Sequence, residues 1–97
     1  MNRDPLDQKT LNDALASLQN WEYRNDRLVR TFKFADFREA VAFIVRIGFC
    51  ADHLDHHPIL YNVYNQVSIE LTTHSAGNRV SQMDVLLAQA IDKVFGK

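Results

Sequence analysis

Leu11, Ala14, Leu15 and Leu18 recur at the spacing of one helical face. Asp7 precedes them as a helix cap, and Leu6 and Leu11 are placed as a hydrophobic staple. A first helix is therefore predicted from Asp7 to about Asn20. The period then changes. "WEYRNDRLVRTFKF" reads as two strands around an Arg24-Asn25-Asp26 turn, with Phe32 and Phe34 on one face and Thr31 and Lys33 on the other. Arg30 interrupts that alternation.

Asp36 is set to cap the longest helix, with Glu39 as its capping-box partner. Phe37, Ala40, Val41, Ile44, Ile47, Gly48, Ala51 and Leu54 form one stripe, which Phe43 and Cys50 widen. A helix apolar over so wide an arc is expected to lie between a sheet and a second surface, such as another subunit. Pro58 is expected to end it, because the residue before a proline is pushed out of the α region. "ILYNVYNQVSIELTTH" reads as a hairpin around Asn65-Gln66. Val67, Ile69 and Leu71 then face inward, while Ser68, Glu70, Thr72 and His74 face outward. Ser81 caps a last helix with Asp84 at its third position, Val80 and Val85 as a staple, and Leu87, Ala90, Ile91 and Val94 on the buried face. The order is α-β-β-α-β-β-α. Two hairpins imply an antiparallel sheet that three amphipathic helices must cover, an α+β two-layer sandwich.

The chain has 97 residues, room for a single domain over 1–97 with one core. Eleven basic and twelve acidic residues give a net charge of -1, so neither a basic stripe for nucleic acid nor an acidic tail is present. The longest apolar run, "AVAFIV", stops at Arg46, well short of the roughly 20 residues that span a bilayer. The amino-terminal residues "MNRDPLDQKT" carry no apolar signal core. These features set the expectation of a soluble, cytoplasmic protein without a membrane partner. The single cysteine, Cys50, lies in an apolar stretch and reads as a small core residue.

The candidate chemistry is concentrated in "DHLDHH" at 52–57, which holds three of the four histidines. His53 and His57 stand four apart, but Leu54 occupies the place where a zinc-protease pattern needs Glu. Three readings stay open on the residues alone. Convergence of His56, His57 and His74 could hold a metal. Imidazoles in the last turn of a helix could simply favour its dipole, with Asp52 and Asp55 as solvated acids. Alternatively, adjacent histidines backed by carboxylates could transfer protons near neutral pH, since the ordinary imidazole pKa is about 6.5. His74, at the end of a strand, could reach the same pocket, and Asp84 has helix capping as its plain role. No serine or cysteine nucleophile motif and no phosphate-cradling glycine loop occurs, so any chemistry here is proton transfer without a covalent intermediate.

Taken together, Asp52, His56-His57-Pro58, Tyr64, His74 and Asp84 resemble the pattern of the pterin-4a-carbinolamine dehydratase family. "YNVYNQV" and the helix in "FKFADFREAVAFIVRIGFCADHLDHHP" are similar to that family as well, so the likeness spans about residues 20 to 95. The resemblance implies a four-stranded antiparallel sheet with three helices on one face. It also implies a homodimer or homotetramer formed through the sheet edge and the long helix. The implied activity is a hydro-lyase reaction that removes water from 4a-hydroxytetrahydropterin to give quinonoid dihydropterin, supporting aromatic amino acid hydroxylases. No metal and no cofactor is implied. By resemblance, His57 and His74 form the proton-transferring pair and His56 binds the pterin. Asp52 and Asp55 orient imidazoles or accept from pterin nitrogens, and Pro58, Tyr64 and Asp84 support the site. Two positions depart from the pattern: Leu60 stands where many members have tryptophan, and Asp52 where glutamate is common. The alternative function is a non-catalytic dimerisation or transcriptional coactivator role, without direct nucleic-acid contact. His53 falls outside the motif and reads as a surface residue.

Overall fold

Four antiparallel strands join in the order β1-β2-β4-β3 to form one sheet. The computed structural model describes residues 3–96. Along the chain the elements are α1 (Gln8–Ser17), β1 (Glu22–Arg24), β2 (Arg27–Lys33), α2 (Phe37–Leu54), β3 (Ile59–Val63), β4 (Gln66–Leu71) and α3 (Gln82–Phe95), with a 3₁₀ turn at His74–Ala76. The expected α+β architecture of three helices and a four-stranded sheet is thus observed.

Period-2 alternation decides which face the helices cover. Pairing of Leu28 with Leu71, Arg30 with Ile69 and Phe32 with Val67 puts these side chains on one face. Leu28, Phe32, Val67, Ile69 and Leu71 join Leu11 of α1 and Leu18 just beyond it, Ala40, Phe43, Ile47 and Ala51 of α2, and Leu87, Ala88 and Ile91 of α3 in a single core. The opposite face is mixed: Thr31 and Ser68 share a hydroxyl hydrogen bond of 2.9 Å and Arg27 pairs with Glu70 at 2.5 Å, beside Val29, Tyr61 and Val63.

Arg30 turns out to keep the alternation. Its side chain points inward, lies over the Phe32 ring at 4.2 Å, and pairs with Asp92 of α3 at 2.6 Å. Asp92 Oδ1 also accepts from Trp21 Nε1 at 2.9 Å. A cation can occupy a core-facing position here because a carboxylate and an aromatic face replace its water.

The caps set the helix starts. Asp7 accepts from the Thr10 amide at 2.8 Å and Asp36 from the Glu39 amide at 2.9 Å. Glu39 returns its bond to Ala35 rather than to the cap residue. Ser81 and Asp84 form the full reciprocal box at the head of α3. Helix α1 ends at Ser17, three residues before the expected Asn20.

Three sequence expectations need correction. Helix α2 ends at Leu54 because Asp55 turns left-handed, φ 50° and ψ 45°, and not because of Pro58 three residues later. The His56 amide then closes back on the Ala51 carbonyl at 3.0 Å. The β3–β4 hairpin turns at Tyr64-Asn65, one residue earlier than expected, with Val63 opposite Gln66 and Tyr64 at φ 48°. Strand β4 stops at Leu71, so His74 opens the 3₁₀ turn rather than closing a strand.

The apolar arc of α2 is only half used by the core. Phe37, Val41, Val45 and Phe49, spaced four apart, remain exposed, Phe49 to 73%. Edge strand β3 also exposes Leu60, Tyr61 and Val63.

Candidate functional site

The left-handed turn at Asp55 carries His56 and His57 out of α2 toward the 3₁₀ turn that bears His74. The three imidazoles line one open cavity of about 350 Å³, together with Arg3, Asp55 and Thr73. That volume falls in the range of small-molecule sites. A somewhat larger cavity, about 440 Å³, lies near the other end of α2 around Lys33, Glu39, Phe43 and Arg46. It contains no histidine, the side chain whose ordinary pKa lies near neutrality, so chemistry rather than size selects the first.

His56 is the anchored member. It is buried, and its Nε2 meets Asp84 Oδ1 at 2.5 Å. Asp84 is fully buried, and its Oδ2 accepts from the Thr73 hydroxyl at 2.7 Å and the Ser81 amide at 2.9 Å. Thr73 and Ser81 share a further bond of 2.6 Å. Where His56 Nε2 is the donor in this contact, Asp84 accepts on both oxygens and Nδ1 is the His56 nitrogen left to act as an acceptor. Asp84 thus caps α3 and fixes one imidazole with the same carboxylate.

His57 and His74 are exposed. His57 Nε2 lies 3.5 Å from Asp52 Oδ1, too long for a hydrogen bond but close enough for an ion pair when the imidazole is protonated. His74 Nδ1 lies 3.3 Å from Asn78 Oδ1. One histidine is therefore buried against a carboxylate and two are exposed. His53, on the last turn of α2, faces a different, largely apolar groove with Phe49 and Leu86.

The remaining expected residues divide. Asp52 and Asp84 touch the histidines of the cavity, and Asp55 lines it. Pro58 follows His57 and leads into β3. Tyr64 is elsewhere. It lies at the far turn of the β3–β4 hairpin, five residues beyond Ile59 and hence about 17 Å along the strand. Leu60 and Tyr61 do not line the cavity either. Two contributors went unnoticed in the sequence. Thr73 is a buried hydroxyl whose role depends on long-range packing. Arg3 precedes every predicted element, so no periodicity could flag it. Among the described residues no group of three His, Cys, Asp or Glu side chains is placed to hold a metal ion.

Comparison with known proteins shows the family. The family model for pterin 4 alpha carbinolamine dehydratase matches residues 4–94. A relative from Opitutus terrae is 42% identical over 89 residues, covering 92% of each chain. One from Sulfolobus acidocaldarius is 43% identical over 89 residues, covering 92% of this chain and 97% of its own. Both carry the name "Putative pterin-4-alpha-carbinolamine dehydratase". A solved structure of a transcriptional coactivator/pterin dehydratase from Brucella melitensis superposes with a TM-score of 0.90 at 35% identity, covering 96% of this chain and all of the other. With a match over nearly its whole length and relatives well above 30% identity, the chain belongs to the pterin 4 alpha carbinolamine dehydratase family.

Proposed function

We propose that this protein is a 4a-hydroxytetrahydropterin dehydratase, a hydro-lyase that supports recycling of the tetrahydropterin used by aromatic amino acid hydroxylases. The observation that carries the reading is the shared cavity of His56, His57 and His74, with His56 pinned by the buried Asp84.

The reaction breaks the C4a–OH bond. Hydroxide leaves poorly, so a protonated imidazole delivers a proton to the departing oxygen and water is released. The N5 proton goes to a neutral imidazole, and the N5 electron pair forms the new double bond to C4a. His57 and His74, both exposed within the cavity, are our candidates for acid and base. His56, held through Nε2, presents Nδ1 as an acceptor that fixes the substrate. Asp52 steadies a protonated His57, Asp55 offers a carboxylate to pterin nitrogens, and Pro58 sets the exit of the chain from the His-His pair. No step requires a metal or organic cofactor. The reaction is tested by the decay of 4a-hydroxytetrahydropterin. Wild-type protein should accelerate it, and His57→Ala should remove most of that acceleration. Decay at the buffer rate with wild-type protein defeats the proposal.

We further propose self-assembly as a homodimer or homotetramer through the β3 edge and the exposed α2 stripe. An edge strand with unpaired backbone groups and a row of exposed apolar side chains both favour burial against a second copy. Tyr64, remote from the cavity within one chain, would then have its role at a subunit contact. Light scattering of Phe49→Glu should give a smaller particle than wild type, and an unchanged mass would exclude the helix as the contact. A coactivator-type binding role is the second reading. It is favoured by the same α2 stripe and by the name of the Brucella melitensis protein.

A further inference from the structure

Residues 3–7, ahead of α1, are held against the site. Pro5 bridges to Ser81 in antiparallel fashion, and the Leu6 amide donates to the Val80 carbonyl at 2.9 Å. This clamp, beside the head of α3, directs Arg3 to the C-terminal end of α2. There Arg3 Nη2 donates to the Asp55 carbonyl at 2.5 Å and reaches the Leu54 carbonyl at 3.4 Å. These are the carbonyls of the turn that releases His56 and His57. Arg3 also lines the histidine cavity.

A guanidinium has five N–H donors in a fixed plane. Both bonds of Arg3 come from Nη2, so the two hydrogens of Nη1 and the one on Nε have no acceptor among the described residues. Apart from the histidines, whose charge depends on pH, Arg3 is the cation among the residues lining this cavity. Position 3 also lies outside the stretch 4–94 matched by the family model, so the family pattern assigns it nothing.

We propose that Arg3 is a substrate-positioning residue of the cavity, donating to the 4-oxo oxygen of the bound pterin. The inference rests on the dehydratase reading for the identity of the ligand. A pterin carries this carbonyl on C4, next to the reacting C4a. A donor held at the 4-oxo oxygen therefore sets where the 4a-hydroxyl falls relative to the imidazoles. The contact is made equally to substrate and transition state, because the carbonyl neither gains nor loses a proton in the reaction. It should then govern KM more than kcat.

The test compares wild type, R3Q and R3K in two measurements: carbinolamine decay, and binding of oxidised biopterin, a stable pterin that keeps the 4-oxo group. R3Q is expected to raise KM and weaken biopterin binding by about ten- to a hundredfold, the usual worth of a hydrogen bond to a charged group. Its kcat should stay within about twofold, and R3K should recover part of the loss. Equal biopterin affinity in wild type and R3Q overturns the assignment, as does a lowered melting temperature with KM unchanged, which would mark Arg3 as a helix cap only. A wild type that does not bind biopterin overturns it as well. Biopterin binding that depends on Arg3, in a protein that does not accelerate the decay, would instead leave Arg3 in place and defeat the dehydratase reading.

Discussion

Replacing Asp84 with asparagine separates its two duties. The carboxylate serves three donors: His56 Nε2–H, the Thr73 hydroxyl and the Ser81 amide. The introduced amide keeps one acceptor oxygen. If that oxygen stays with Ser81 and Thr73, the NH₂ group points at His56 Nε2, which must give up its hydrogen and accept. The imidazole then moves its proton to Nδ1 and presents a donor where wild type presents an acceptor. Each of the three bonds loses charge assistance worth about 1 kcal/mol, so D84N is expected to lose about 2–3 kcal/mol of stability. D84A is worse. Thr73 can fall back on Ser81, but the Ser81 amide and the His56 ring are left unpaired at about 1–3 kcal/mol each, roughly 2–6 kcal/mol together. A chain of this size has about 5–15 kcal/mol in all, so D84A is expected near the edge of folding and D84N within it. The assay is therefore carbinolamine decay by D84N, with its fold checked by thermal melting and its imidazole tautomers read by nitrogen NMR. We expect a folded protein, a reversed His56 tautomer and a fall in kcat/KM of about tenfold or more. A folded D84N with a reversed tautomer and wild-type kcat/KM would refute the role given to His56. An unreversed tautomer would refute the hydrogen-bond reasoning itself.

Asp92→Ala strands the inward-facing Arg30 and the Trp21 N–H together, and should cost about 2–4 kcal/mol. That is somewhat less than for a fully buried pair because Asp92 keeps some solvent contact, and a drop of less than about 1 kcal/mol in chemical denaturation would contradict it. The Asp7 carboxyl is held below its ordinary value by its hydrogen bonds from Thr10. Its folded pKa being the lower one, its contribution is present above the ordinary 3.8 and is lost as pH falls through the folded value. The melting-temperature gap between wild type and Asp7→Ala should accordingly be constant near neutrality and narrow in acid, and a gap that widens in acid would reverse this sign. At the end of α2, Asp55→Gly should be neutral or stabilising by up to about 1 kcal/mol, and Asp55→Val destabilising by about 1–2 kcal/mol, since β-branched residues resist positive φ. Pro58→Ala should leave the helix content seen by circular dichroism unchanged, and added helix in that variant would return the role of terminator to the proline.

The helices and β4 were legible because each is amphipathic at its own period and the three helices carry local caps. Asp7, Asp36 and Ser81 all sit where a cap is written into the sequence, and each accepts the bond expected of it. What could not be read from the chain were features decided by another element. Arg30 breaks the apolar pattern of β2, yet faces inward because Asp92, sixty-two residues away, supplies the countercharge. Phe37 and Val41 fell on the core stripe by spacing, yet they stay exposed together with Val45 and Phe49, because the core takes only the face that holds Ala40, Phe43, Ile47 and Ala51. The site divides along the same line. His56 and His57 could be singled out as neighbours at a helix end, but nothing local says that one would be buried and the other exposed. That difference comes from Asp84, whose position at the head of α3 is fixed by its capping box with Ser81. A capping carboxylate has two oxygens and needs only one for the cap. Here Oδ2 takes the cap and the Thr73 hydroxyl, leaving Oδ1 for His56. The rigidity of one imidazole is thus borrowed from a helix terminus that the fold needs anyway. His57 and His74 have no such tie to a buried carboxylate and stay exposed, beside Asp52 and Asn78 respectively.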